Sequence, residues 1–156
     1  MNRGSADVLL AEDNPSDADL VFESLSSVVD PRRVHRVHDG VEAIDFLSCS
    51  GGYASRRPDA PLRLALLDIK LPRIDGLEVL EHIRADPRTS LVPVVMLTSS
   101  KVERDVLSAY RLGANAYVQK PVDFARFREA LRCLGTFWLS INECASRVGS
   151  PRPEDP

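Results

Sequence analysis

Long apolar runs are missing from this chain. No stretch approaches the roughly 18 consecutive apolar residues that signal a membrane span. The opening residues 1–6 also lack the apolar core of a secretory signal. Cysteine is scarce: Cys49, Cys133 and Cys144 form an odd set without C-x-x-C spacing, which argues against a disulfide framework or a zinc site and fits a reducing cytoplasm. A charge excess is absent as well. Twenty Lys and Arg stand against 23 Asp and Glu, for a net charge of −3, so there is no electrostatic basis for binding nucleic acid or a membrane surface. No internal repeat appears, and 156 residues fit one domain at about 100–200 residues per domain.

What the chain does contain is a strand–helix alternation repeated five times. Asp7–Ala11, Arg33–Val37, Leu62–Leu67, Pro93–Leu97 and Ala116–Gln119 read as strands. Asn14-Pro15, Asp39-Gly40, Asp75 and Asp123 read as helix starts, and Val102–Arg111 as the fourth helix, closed by Leu112-Gly113. The last helix carries Phe124, Phe127, Leu131 and Leu134 on one stripe. Ser48–Pro61 is a long loop, and the proline-rich, charged stretch Ser150–Pro156 reads as a disordered tail. Apolar strands separated by helices imply an α/β fold with a parallel sheet covered on both faces.

The chemistry collects at the carboxyl ends of these strands, where open α/β sheets place their reactive groups. Glu12-Asp13, Asp68, Thr98 and Lys120-Pro121 each follow a different apolar strand. One aspartate after a strand is commonly just a cap or turn residue; four such ends in order are far more specific. Clustered acids repel at low dielectric, and a divalent cation removes that penalty. Mg²⁺ suits carboxylates, a carbonyl and waters, with a phosphate oxygen completing the octahedron. Thr98 and Lys120 would steady the oxygens of a transferring phosphoryl group, and an aspartate can act as its nucleophile. His35, His38 and His82 read as surface residues, Arg56-Arg57 and the Arg126/Arg128/Arg132 set as solvated faces, Cys133 as a core or interface thiol, and Tyr117 as a packed aromatic.

Jointly, the D-x-x-L-P-x-x-D-G stretch Asp68–Gly76, Thr98-Ser99-Ser100 and Lys120-Pro121 resemble a response regulator receiver domain of two-component signalling, over about residues 7–134. The resemblance implies a flavodoxin-like (βα)5 doubly wound parallel sheet of strand order 2-1-3-4-5. It implies that Asp68 accepts a phosphoryl group from a histidine kinase, that Asp13, Asp68 and the backbone carbonyl of Lys70 bind Mg²⁺, and that Glu12 assists through water. The acidic pair here is Glu-Asp rather than the usual Asp-Asp. Thr98 and Tyr117 would form a switch pair, and the Lys120–Pro121 peptide would be cis. The opening Leu10–Asp17, the loop Ser48–Pro61 and Phe137-Trp138-Leu139 further resemble single-domain regulators paired with bacterial phytochromes.

Two other functions compete. A metal-dependent aspartyl phosphohydrolase needs an acid two residues past the nucleophile, where this chain has Lys70. A phosphorylation-independent binding module would not need the acids, Thr98 and Lys120. Residues 135–149 are expected to form a helical extension. An unbroken helix from Asp123 to Glu143 would overhang the sheet and present Phe137, Trp138, Leu139 and Ile141 to a second copy, giving a homodimer; the alternative is that Gly135 ends the helix and the segment folds back.

Overall fold

A computed structural model describes residues 6–57, 62–100 and 102–145. Its elements alternate as β1 (Val8–Ala11), α1 (Pro15–Leu25), β2 (Val34–Val37), α2 (Gly40–Ser48), β3 (Leu64–Leu67), α3 (Gly76–Ala85), β4 (Val94–Thr98), α4 (Glu103–Arg111), β5 (Ala116–Gln119) and α5 (Phe124–Thr136). All neighbouring strands are parallel, and the sheet order is β2-β1-β3-β4-β5, as expected. β1, β3 and β4 are buried along their whole length because helices cover both faces. One core joins the sheet to α2, α3 and α4 through Leu9, Phe46, Leu67, Ile83, Met96 and Ala109. The other joins it to α1 and α5 through Leu10, Val21, Leu25, Leu66, Phe127 and Leu131.

Helix starts follow the capping chemistry in the sequence. The side chains of Asn14, Asp39, Asp75 and Asp123 accept backbone N–H groups from the first turns of α1, α2, α3 and α5. α4 is the exception: Val102 stands at its cap position and offers no side-chain acceptor.

Several local expectations are corrected. His35 is half-buried rather than on the surface: its ring stacks on Phe46 at 4.6 Å, and Nε2 lies 2.8 Å from the Tyr53 hydroxyl. Burial lowers the His35 pKa. His82 is half-buried, with Nε2 3.0 Å from the Ser48 hydroxyl. Arg56 is no solvated charge; its guanidinium lies 4.0 Å over the Phe46 ring and donates to the Phe46 carbonyl. Cys133 is exposed and so is not a core thiol, which leaves the interface half of that expectation standing; at about 100° per residue it faces away from the Leu131–Leu134 stripe. Phe124, in the first turn of α5, is 66% exposed. No described peptide is cis, so Lys120–Pro121 is trans, the isomer that X–Pro bonds favour by about 0.5–1 kcal/mol.

The C-terminal segment follows neither expected course. Gly135 does not end the helix, because it packs against α1: a Cβ there would lie 2.5 Å from Leu25 Cδ2. The chain continues as a π-helical turn, Phe137–Ile141, and then extends at Asn142. Leu139 is buried in the α1/α5 core, and the Arg63 side chain donates to its carbonyl. Phe137 and Ile141 stay exposed at 46% and 64%. The expected tail, Ser150–Pro156, lies outside the described residues, as do residues 146–149 of the extension.

Candidate functional site

The sheet order puts β1 beside β3 at its centre. Successive crossovers therefore leave in opposite directions there, which opens a crevice at the carboxyl ends. The ladder continues one residue past each strand. Glu12 N–H donates to the Val37 carbonyl at 3.1 Å, and Asp68 N–H to the Ala11 carbonyl at 3.1 Å. Backbone pairing thus aims both acids. Lys120 is fixed in the same way, its N–H reaching the Thr98 carbonyl at 2.8 Å. After Asp68 the chain turns tightly into α3, with Arg73 in the left-handed region at φ 70°. Gly76 makes that turn possible, since a Cβ there would lie 2.0 Å from the Asp68 carbonyl oxygen.

Carboxylate oxygens of Glu12, Asp13 and Asp68 lie within 4.8 Å of one another. Glu12 and Asp68 are buried, and Asp13 is exposed. The Lys120 ammonium donates to Glu12 Oε2 at 2.6 Å, Asp17 Oδ2 at 2.9 Å and Asp68 Oδ2 at 3.0 Å, which engages all three of its protons. Burial pushes the Lys120 pKa down, but the hydrogen bonds it donates to Glu12 and Asp17 and the Asp68 charge outweigh it. The net shift is upward, and Lys120 is a cation. For Glu12, burial raises the pKa against the lowering pull of Lys120. Asp68 Oδ1 accepts the Lys70 backbone N–H at 3.3 Å, and the Lys70 side chain is exposed.

Thr98 is fully buried, and its Oγ1 accepts the Ser100 N–H at 3.3 Å. The Tyr117 hydroxyl donates to the Ser100 carbonyl at 3.1 Å. Both expected switch residues therefore meet on Ser100, with the Tyr117 ring already half-buried against the core under α4. The Ser100 hydroxyl donates to Asp105 Oδ2 at 2.6 Å, which carries the connection into the first turn of α4.

Residues 8–132 match the response regulator receiver domain family. The chain is a response regulator receiver domain. The receiver is 37% identical over 133 residues to the response regulator Rcp1 of Synechocystis sp., covering 85% of this chain and 88% of that protein. Among solved structures, the phosphorylated cyanobacterial phytochrome response regulator RcpA is 37% identical with a TM-score of 0.80, covering 88% of this receiver and 96% of that chain. The Mn²⁺-bound form of Rcp1 gives a TM-score of 0.81 at 34% identity, with the same coverage. The bacteriophytochrome response regulator AtBRR is 44% identical with a TM-score of 0.65, covering 87% and 96%. The receiver is thus related to phytochrome response regulators. The described residues include no helix long and apolar enough to cross a membrane.

The fold brings Glu12, Asp13, Asp68 and Lys120 into one site and holds Thr98 and Tyr117 beside it, joined through Ser100. The hard oxygen donors fit a small divalent cation: carboxylates converge with no sulfur or imidazole among them. Asp17 was missed by the sequence reading. It occupies the third position of α1, which reads as an N-terminal turn acid, yet its carboxylate reaches Lys120 from across the site. Arg36 was missed too; its Nε donates to the Glu12 carbonyl at 3.0 Å and its Nη2 to the Asp13 carbonyl at 3.4 Å.

Proposed function

We propose that this receiver accepts a phosphoryl group on Asp68 from a histidine kinase, with Mg²⁺ held by Asp13, Asp68 and the Lys70 backbone carbonyl, and with Glu12 assisting through water. The observation that carries this reading is the Lys120 ammonium, its Nζ lying 3.0 Å from Asp68 Oδ2 amid converging acids. In the transfer, an Asp68 carboxylate oxygen attacks phosphorus, the P–N bond of the phosphohistidine breaks, and the imidazole leaves with that electron pair. Mg²⁺ would supply charge neutralisation and orientation of the phosphoryl oxygens. Lys120 exchanges its bond to Asp68 for one to a phosphoryl oxygen, and Thr98 gives up Ser100 to do the same. Because Tyr117 bonds that same Ser100, a shift of Thr98 biases the seating of α4 and so the surface formed by α4, β5 and α5.

Acetyl phosphate replaces the kinase in a direct test, its P–O bond breaking and acetate leaving. Labelling with and without Mg²⁺, followed by mapping of the acid-labile site, should give one Mg²⁺-dependent site at Asp68 and none in Asp68→Asn. Stoichiometric label in that variant would refute the assignment. The kinase that fits best is a bacterial phytochrome, on the strength of the relatives. The receiver proper is assigned to residues 7–134, residues 135–149 to a C-terminal extension whose described part is helical as far as Ile141, and the whole to the cytoplasm.

The extension supports a homodimer. Leu139 is covered by its own domain, but Phe137 and Ile141 are not, and Trp138 sits edge-on to Phe137 at 5.0 Å. Light scattering of wild type and Phe137→Ala/Ile141→Ala tests this. A wild type that stays monomeric at high micromolar concentration, phosphorylated or not, removes the dimer.

A further inference from the structure

Arg36 lies on β2, at the edge of the sheet, paired with Leu10 of β1. A half-exposed arginine on an edge strand ordinarily keeps that edge soluble. Here the guanidinium turns toward the end of the neighbouring strand. It bonds two consecutive carbonyls, those of Glu12 and Asp13. The side chains of the same two residues supply two of the three converging acids. Regular pairing has just run out at this point: Glu12 N–H is the last ladder donor, to Val37, and the next fixed group is the Asn14 cap of α1. Arg36 grips the stretch of backbone between these anchors. Its planar fork places two donors at a set separation, which a lysine ammonium does not reproduce.

We propose that Arg36 is a positioning residue for the metal centre, fixing the Glu12–Asp13 backbone so that their carboxylates meet Asp68 at the spacing a small octahedral cation requires. The inference rests on the metal-binding reading above. It has a signature that charge alone lacks. Mg²⁺ demands near-ideal octahedral geometry with oxygens at about 2.0–2.1 Å, whereas Ca²⁺ accepts six to eight oxygens at about 2.3–2.6 Å in flexible arrangements. Loosening the ligand backbone therefore penalises Mg²⁺ more than Ca²⁺. Removing a positive charge near the acids acts on both dications in the same favourable sense.

The test is a calorimetric titration of the full chain with Mg²⁺ and, separately, Ca²⁺, without phosphodonor, in wild type, Arg36→Met and Arg36→Lys. Mg²⁺ affinity should fall roughly tenfold in both variants, the size typical of losing a group that orients metal ligands. Ca²⁺ affinity should fall less, so the preference for Mg²⁺ shrinks, and the charge retained in Arg36→Lys should not restore it. An unchanged Mg²⁺/Ca²⁺ preference in both variants overturns the proposal, as does full recovery in Arg36→Lys or tighter binding of both ions to Arg36→Met. A wild type that binds neither ion removes the metal-binding reading and this inference with it. Wild-type binding with unaffected variants removes only the role of Arg36.

Discussion

Helices α4 and α5 cover opposite faces of the same end of the sheet, and they are held there by different means. α5 buries Phe127, Leu131, Leu134 and Gly135 against α1 and the strands, and Asp123 caps its start. α4 buries Ala109 alone, has no side-chain cap, and leaves Val102, Leu107 and Tyr110 about half exposed. What secures the start of α4 is polar: Asp105 to the Ser100 hydroxyl, and Tyr117 to the Ser100 carbonyl. Both bonds lead to the residue that also engages Thr98. Apolar burial is non-directional and does not respond to a phosphoryl group. Hydrogen bonds through one shared serine have discrete alternatives, and the elements that move in switching come from the weakly held part of a fold. The contrast makes α5 the framework and, on the function proposed above, α4 the element that phosphorylation would reseat.

The largest expected effect lies in the framework. Leu131 is fully buried, and Leu131→Ala should cost about 2–5 kcal/mol, through lost burial plus the cavity left behind. Denaturant unfolding with an unchanged slope measures it. A cost below about 1 kcal/mol would mean that α5 is no better seated than α4, and the comparison would collapse.

A smaller effect should appear at the hinge of α4. Asp105→Ala removes a charged acceptor 2.6 Å from the hydroxyl of buried Ser100. A hydrogen bond to a charged group contributes about 1.5–3 kcal/mol, of which the partial exposure of Asp105 leaves the lower part. The sharper readout is local. Amide exchange in α4 should accelerate while that in α5 stays unchanged. Equal acceleration in both helices would show that they open as one unit and that Ser100 does not separate them.

The two helices also differed in how well the sequence announced them. The acids, Thr98 and Lys120 were legible because each directly follows an apolar strand, and pairing fixes where such residues go; Asp68, bonded through its N–H to Ala11, is the case in point. The strand order came from the family likeness, since apolar runs alone do not say which strand neighbours which. Asp17 and Arg36 were not legible. Their partners lie 103 and 24 residues away, and each has an ordinary local role that its residue type already satisfies. The stripe of α5 was read correctly at Phe127, Leu131 and Leu134, but periodicity says which face a residue is on, not whether anything opposes it. Phe124 shares the face and is exposed. The π-helical turn was hidden for a related reason: the sequence offers Gly135 either as helix interior or as a helix stop, and only its packing against Leu25, which requires the missing side chain, explains the glycine.

The smallest expected effect is as informative as the largest. Leu107 is in the middle of α4 and 48% exposed, so truncating it removes little that water does not already reach. Leu107→Ala should change stability by no more than about 0.5 kcal/mol, the usual range for surface positions. The better helix propensity of alanine offsets part of any loss. Set beside Leu131→Ala, the pair subjects the same chemical change to two helices on opposite faces of the same end of the sheet. The difference between them measures how unequally those helices are bound. The comparison sharpens if Leu107→Ala leaves the unfolding midpoint in place yet alters amide shifts along α4 when beryllofluoride is added, because Leu107 then belongs to the surface that changes rather than to the core that holds. A Leu107→Ala cost near that of Leu131→Ala would mean that α4 is covered in solution, by a second copy or by the rest of the chain, and the reading of α4 as the loosely held element would fail.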